Sequence, residues 1–329
     1  MNKKHLFYWL CLSIISVSCT RENKHIEEQK VSIQVAQRFH EAEYEFSKRW
    51  TTFCNRQGSF ALWHSNCNSK VLKERFDLMQ KERWVEYFTN PEDFGKKGVL
   101  GKWKPIYKVP LLWHIWNSRY PYPFGFDYNS AYPSYNASLI NLGKTRFIAM
   151  EGPNQENIGR FLHLLMDYRV TDLVRLTPPI SNGLECSYNY WDGRVHLDDH
   201  KHYLELNGLK INYIATEAWN NHEGINPQEL LALICRVREG PPENKIIGVH
   251  CRAGVGRTGT FIAGYALISE IDTQLKNGVH PKDVRVSVDE VVWKVSLQRA
   301  FALSNFDQYE TVYRLVDYYL HHLESTEHL

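Results

Sequence analysis

His250-Cys251-Arg252-Ala253-Gly254-Val255-Gly256-Arg257-Thr258-Gly259 follows the apolar run Ile246 to Val249 and opens a long amphipathic stretch. Five residues separate Cys251 from Arg257, and two of them are glycines that let backbone N–H groups turn inward. A strand, such a turn and a helix start together make a nest for an oxyanion, with the amides of Arg252, Ala253, Gly254, Val255 and Gly256 and the helix dipole facing the charge. The forked guanidinium of Arg257 matches two oxygens of a phosphate. In that field the Cys251 thiol pKa falls well below its free value of about 8.5, so that a thiolate exists at neutral pH and is a nucleophile for phosphorus. His250 supports the loop through its ring nitrogens, and the Thr258 hydroxyl assists the thiolate or its release. Six fixed residues of this kind agree by chance at fewer than roughly one start position in a million.

Around this loop, strands alternate with helices from about Asn117 onward, the pattern of an α/β domain. Asn136 to Ile140 and Arg146 to Met150 flank Gly143 and predict a hairpin. Ile158, Phe161, Leu162, Leu165 and Met166 mark one face of a helix, with Asn154 as its N-cap. Val170 to Thr177 reads as a strand stopped by Pro178-Pro179. Ile211 to Thr216 and Ile246 to Val249 are further strands, separated by a helix from Pro227 to Arg238. Helices follow over Thr258 to Leu275, Val288 to Leu297 and Asp307 to His321.

Composition bounds the function classes. Apolar residues are 43%, aromatics 13% and charged residues 23% of 329, which supports a sizeable core; a net charge of +2 argues against a nucleic-acid partner. Lys3 and Lys4 precede the apolar run Leu6 to Val17, which ends in small residues before Cys19. That is the build of an export signal over residues 1–19, and it resembles a bacterial lipoprotein signal with Cys19 as the lipidated residue. Such a chain is exported, either anchored to a membrane by that lipid or free in the periplasm or medium. The run is shorter than the roughly 20 residues that span a bilayer. Residues 20–45 read as a tether, and 46–116, rich in tryptophan, as a helical extension with a helix over Val71 to Phe88. Beyond Cys11 and Cys19 five cysteines remain, so at least one thiol is free. Cys54 and Cys67 are disulfide candidates in an oxidising space, and Cys235 reads as a core residue. The chemistry asks for no cofactor and no metal; His196, His200 and His202 read as a solvated face.

The loop resembles the signature of the protein tyrosine phosphatase superfamily, and the resemblance runs from Asn117 to the end. Asn117-Ser118-Arg119-Tyr120 is similar to the segment that lays an aromatic wall along the phosphotyrosine pocket, which would be Tyr120. Asn136-Ala137-Ser138-Leu139-Ile140, Phe147 to Pro153, Tyr190-Trp191 and Val237-Arg238-Glu239 match further stretches. The resemblance implies an α/β cysteine-phosphatase fold over 117–329, a central twisted mixed sheet flanked by helices, with the N-terminal extension added to it. It also implies hydrolysis of phosphotyrosine proteins through a cysteinyl-phosphate intermediate.

Several positions depart from the family. Where it carries Trp-Pro-Asp, with the Asp as general acid, this chain has Ala218-Trp219-Asn220-Asn221-His222-Glu223-Gly224. Trp219 keeps its place beside the pocket; Asn221 stands where the acid belongs. Either Glu223 or His222 reaches in through the longer loop, or Glu217 acts from ahead of Trp219, or the acid is lost, at a cost of about 10²–10⁴ in rate. Ser304 replaces the glutamine that orients the hydrolytic water, and Gln308 keeps the second. Phe301 replaces a small residue at the pocket mouth, Arg299 matches an arginine of structural character, and Glu185 is either a partner of Arg257 or an exposed carboxylate. Two other functions remain open: an inositol polyphosphate or phosphoinositide phosphatase, suggested by the basic Arg252 after the nucleophile, and a weakly active or inactive phosphotyrosine-binding module, suggested by Asn221 and Ser304.

Overall fold

The computed structural model of the chain describes residues 3–62, 68–87, 130–132, 135–198, 201–239 and 245–326. Its centre is β10 (Ile246–His250), all five residues of which are buried. Buried parallel strands must be apolar on both faces, and Ile-Ile-Gly-Val satisfies that. β10 lies parallel between β3 (Thr145–Met150) and β4 (Asp172–Arg175), with His250 opposite Met150 on one side and Arg175 on the other. β9 (Leu209–Ala215) continues the parallel set beyond β4. Antiparallel strands close both flanks: β1 (Ser130–Tyr132) and β2 (Tyr135–Leu142) outside β3, and β8 (Lys201–Leu206) and β7 (Val195–Asp198) outside β9. The result is an eight-stranded mixed sheet in the order β1-β2-β3-β10-β4-β9-β8-β7, with β5 (Ile180–Ser181) and β6 (Leu184–Glu185) as a separate hairpin. The expected hairpin of β2 and β3 is present, and Gly143 at its turn takes φ +63°.

Helices cover both faces. On one side α3 (Ile158–Asp167) buries Phe161, Leu164 and Leu165. On the other lie α4 (Pro227–Arg238), α5 (Gly256–Lys276), α6 (Val288–Ser296) and α7 (Phe306–Thr326). Asn157 rather than Asn154 is the N-cap of α3; the Asn154 side chain accepts from the amides of Glu156 and Asn157, and so forms the turn before it. Cys235 is exposed instead of in the core. Leu230, Leu233, Ile234 and Val237 form the buried stripe of α4, and position 235 falls one step off it.

The N-terminal part differs from the expected tether. α1 runs from Lys3 to Gln57, and within 20–45 Val35, Phe39 and Ala42 are buried at helical spacing. They join the cluster on one face of the sheet, while Phe46 and Phe53 join the other, so α1 crosses the sheet edge beside β2. Arg38 fixes the crossing by donating to the Tyr168 hydroxyl at 3.1 Å. α2 (Ser69–Tyr87), expected from the apolar spacing, adds Leu72, Phe76 and Met79 to the same core as Phe53. Cys67, the expected partner of Cys54, and Tyr120 lie outside the described residues, as does His200; His196 and His202 are exposed. Among the described residues no helix is long and apolar enough to cross a membrane.

Phe53 is the keystone of this attachment, 1% exposed, with its ring 4.6 Å from that of Trp293 and 5.7 Å from Trp50. Phe53→Ala is expected to destabilise the whole domain by about 3–5 kcal/mol in denaturant unfolding. An unchanged midpoint would show that the extension contributes nothing to the fold.

Candidate active site

The loop from Cys251 to Gly256 leaves the carboxyl end of β10, beside those of β3 and β4, where open α/β sheets place their ligands. Arg299, 1% exposed, fixes its shape from behind: Nε donates to the Gly254 carbonyl at 2.8 Å and Nη2 to that of Ala253 at 3.1 Å. In a trans peptide the N–H points opposite to the C=O, so the amides of Gly254 and Val255 face away from Arg299, and that of Val255 reaches Cys251. Gly254 makes this possible. It has φ +67°, and an added Cβ would lie 1.9 Å from the Met150 carbonyl oxygen. Arg299 is itself held by Asn136 Oδ1 at 2.9 Å and Ser138 Oγ at 3.0 Å, which gives the Asn-Ala-Ser stretch of β2 its structural purpose.

Cys251 sits at the floor, 3% exposed. Burial by itself raises its pKa, but the Arg257 charge, the Thr258 hydroxyl and the backbone N–H groups of Thr258 and Val255 outweigh it and bring the thiol from 9.0 down to about 7. The Thr258 hydroxyl is buried and is one of the groups that lower the Cys251 pKa. His250 supports the turn as expected. Its Nδ1 lies 3.1 Å from the Cys251 carbonyl, which can only accept, so Nδ1 carries the proton and Nε2 accepts from the Tyr190 hydroxyl at 2.6 Å. Burial raises the Tyr190 phenol well above its ordinary value and keeps it a donor.

Arg257, 1% exposed, donates from Nη1 to the Trp219 carbonyl at 2.8 Å and from Nη2 to Asn221 Oδ1 at 3.2 Å. Its Nε is buried without a hydrogen-bond partner. A desolvated guanidinium N–H is costly unless an acceptor meets it, and a phosphate oxygen at the cradle is the acceptor that fits. Glu185 is exposed on β6 and is not a partner of Arg257. Arg252, beside the nucleophile, is half-buried and donates to the Glu185 carbonyl at 3.2 Å.

The segment 218–224 is closed over Arg257. Trp219 is 1% exposed and donates to the Glu223 carbonyl at 2.9 Å, so it anchors the loop instead of offering a surface. The His222 carbonyl accepts from Asn305 at 2.9 Å, and Gly224 packs so tightly that an added Cβ would be 2.5 Å from Thr311 Oγ1. His222 itself is exposed, with φ +63°. Asn221 thus stands next to Arg257, presenting its oxygen to the guanidinium and keeping an amide donor that cannot transfer a proton. Neither replacement carboxylate bonds to Arg257 or Cys251. Glu223 accepts from Asn220 at 3.0 Å, and Glu217 pairs with Arg175 at 2.8 Å. Nothing in the sequence around Arg175 marks it as part of this region. It also donates to Tyr213 at 2.7 Å and to the Thr177 carbonyl at 2.6 Å, and lies 4.0 Å from the Trp191 ring centroid. Ser304 and Gln308 do meet the cradle: Ser304 donates from N and Oγ to Gln308 Oε1, and both side chains crowd Gly256.

Residues 194–318 match the sequence profile of the Protein-tyrosine phosphatase family, a span that includes the cradle, the loop over it and Gln308. The chain is 28% identical over 217 residues to Receptor-type tyrosine-protein phosphatase epsilon of Rattus norvegicus, covering 56% of this chain and 30% of that one. It is 26% identical over 214 residues to Tyrosine-protein phosphatase 2 of Schizosaccharomyces pombe, covering 56% and 30%. To Tyrosine-protein phosphatase non-receptor type 13 of Homo sapiens it is 26% identical over 222 residues, covering 58% and 8%. The chain therefore spans less than a third of the length of these relatives.

Alkylation of Cys251 by iodoacetate tests the electrostatics. Its rate should rise with pH through a midpoint of about 7 and level off above it. In Arg257→Met the burial remains and the opposing charge is gone, so the midpoint should move upward; the same midpoint in both proteins would contradict the assignment.

Proposed function

Residues 194–318 matching the profile of the Protein-tyrosine phosphatase family, we propose that the chain hydrolyses phosphotyrosine in proteins, with 117–329 as the catalytic unit and Tyr120 as the aromatic wall of its pocket. The observation that carries this is the buried pair of Cys251, with its thiol near neutrality, and Arg257, with an unpartnered N–H beside it. The thiolate attacks phosphorus and the bond to the phenolic oxygen breaks, the electron pair leaving with the phenolate. The phosphoryl group rests on sulfur, held by the amides of the cradle and by Arg257. Water then attacks phosphorus, the S–P bond breaks and the thiolate returns. The engagement of Arg252 by the Glu185 carbonyl draws it toward the β5–β6 hairpin, which favours phosphotyrosine over inositol phosphates as the substrate.

The leaving group departs without a proton from Asn221. Glu217 is drawn to Arg175 and Glu223 to Asn220, so the observed contacts favour loss of the acid over its replacement. Residues 1–19 act as an export signal of the bacterial lipoprotein type, and acylated Cys19 would tie the enzyme to a membrane. The support for this is Lys3-Lys4, the apolar run to Val17 and the small residues before Cys19. Mass measurement of the N-terminal peptide from the expressing cell decides it: a free, unacylated Cys19 would refute lipidation.

Chain lacking residues 1–19, assayed in parallel on para-nitrophenyl phosphate, phosphotyrosine peptides and inositol phosphates, should turn over the first two, and Cys251→Ser should abolish both activities. Turnover that survives Cys251→Ser, or a preference for inositol phosphates, would overturn the assignment. The leaving-group argument has its own measurement. Nitrophenyl phosphate, with the more acidic phenol, should be cleaved far faster than phosphotyrosine, and Asn221→Asp should raise the phosphotyrosine rate by about 10²–10⁴. If Glu223→Gln or Glu217→Gln slows phosphotyrosine cleavage by a comparable factor, an acid is present after all.

A further inference from the structure

Residues 297–305, between α6 and α7, touch three parts of the site. Arg299 carries the carbonyls of Ala253 and Gly254. Ser304 lies so near Gly256 that an added Cβ there would be 2.7 Å from its Oγ and from Gln308 Oε1. Asn305 holds the His222 carbonyl of the loop closed over Arg257. The backbone achieves this at two residues with left-handed torsions, Phe301 at φ +61° and Leu303 at φ +53°. Bulky side chains seldom adopt that region, and such conformations persist only where the surroundings enforce them.

Part of that enforcement comes from outside the matched phosphatase segment. Arg83 of α2 is 0% exposed; its Nη1 donates to the Leu303 carbonyl at 3.2 Å and its Nη2 to Ser296 Oγ at 2.7 Å. The guanidinium lies 6.0 Å from the Trp293 ring centroid. Leu303 is also confined at its other peptide, where its backbone nitrogen would be 2.8 Å from a Cβ on Gly259 in the first turn of α5. Leu303 is thus held at its carbonyl by a buried charge from the N-terminal extension and at its nitrogen by the helix that begins at the cradle.

We propose that Arg83 is a positioning residue for the second half of the reaction, holding Leu303 so that Ser304 and Gln308 face the water that attacks the cysteinyl phosphate. In that step the water oxygen bonds to phosphorus, the S–P bond breaks with its electron pair returning to Cys251, and the water's two protons leave on inorganic phosphate. α2 then belongs to the catalytic unit rather than forming a packing layer on it. The inference rests on the phosphatase reading.

The test uses chain carrying both α1 and α2, with para-nitrophenyl phosphate as substrate, following nitrophenolate release in the first turnover and phosphate release separately. Arg83→Met should slow phosphate release about 10-fold and let cysteinyl phosphate accumulate. Nitrophenolate release in the first turnover and the Cys251 titration should stay as in the parent chain. Arg83→Lys should recover part of the loss. Ser296→Ala, which removes only the anchor of Arg83 on α6, should act in the same direction to a smaller extent. Equal slowing of both steps, or no change in either, overturns the proposal in a folded Arg83→Met protein. If that variant does not fold, an unaltered balance of the two steps in Ser296→Ala overturns it. A parent chain that releases neither product would remove the phosphatase reading and this inference with it.

Discussion

Two backbone carbonyls turned away from the substrate hold the site together. Arg299 takes the oxygens of Ala253 and Gly254 on the far side of the loop, and the rigidity of the peptide unit then turns the N–H groups of Gly254 and Val255 away from it, that of Val255 onto Cys251. An anion cradle built in this way is paid for by burying a guanidinium, and Asn136 and Ser138 of β2 offset that cost by accepting its remaining bonds. The hairpin of β2 and β3 therefore does more than extend the sheet. It supplies the acceptors for Arg299 and, through the Met150 carbonyl, the wall against which Gly254 fits.

A second buried guanidinium works from the front. Arg257, together with the Thr258 hydroxyl and the backbone N–H groups of Thr258 and Val255, outweighs the desolvation of the Cys251 thiol, so the sulfur titrates at about 7 in spite of its burial. The same group ties down the loop that carries Asn221, because two of its N–H groups are used on Trp219 and Asn221. A carboxylate at that position would have completed an acid; an amide completes only a hydrogen bond. The site thus combines a buried thiol titrating at about 7 and a buried guanidinium with a loop whose Asn221 amide can polarise a group but cannot transfer a proton. Its neighbouring carboxylates are occupied, Glu217 by Arg175 and Glu223 by Asn220.

The N-terminal helices are continuous with this machinery. α1 passes from one face of the sheet to the other and α2 lies on the helical side, so Phe53, Leu72 and Phe76 share a core with Phe261 and Ile262 of α5, whose first turn closes the cradle. Buried aromatic contacts of this kind couple the stability of the extension to that of the catalytic fold.

The sequence alone determined the turn that carries Cys251 and Arg257, the hairpin before it and the helices after it. Those features depend on neighbours within about ten residues, whose order and periodicity are written along the chain. Local reading misplaced what depends on the face a residue takes: Cys235 sits in an apolar run yet falls beside the buried stripe of α4, and residues 20–45 looked polar although Val35, Phe39 and Ala42 line one side of a helix. Only the tertiary structure decided which groups meet across long separations. Arg175 is 42 residues from Glu217 and Arg83 is 220 from Leu303, and nothing in either local sequence names the partner. A hydrogen bond depends on where two segments of backbone arrive in space, and that is settled by sheet order and helix packing, which no single stretch encodes.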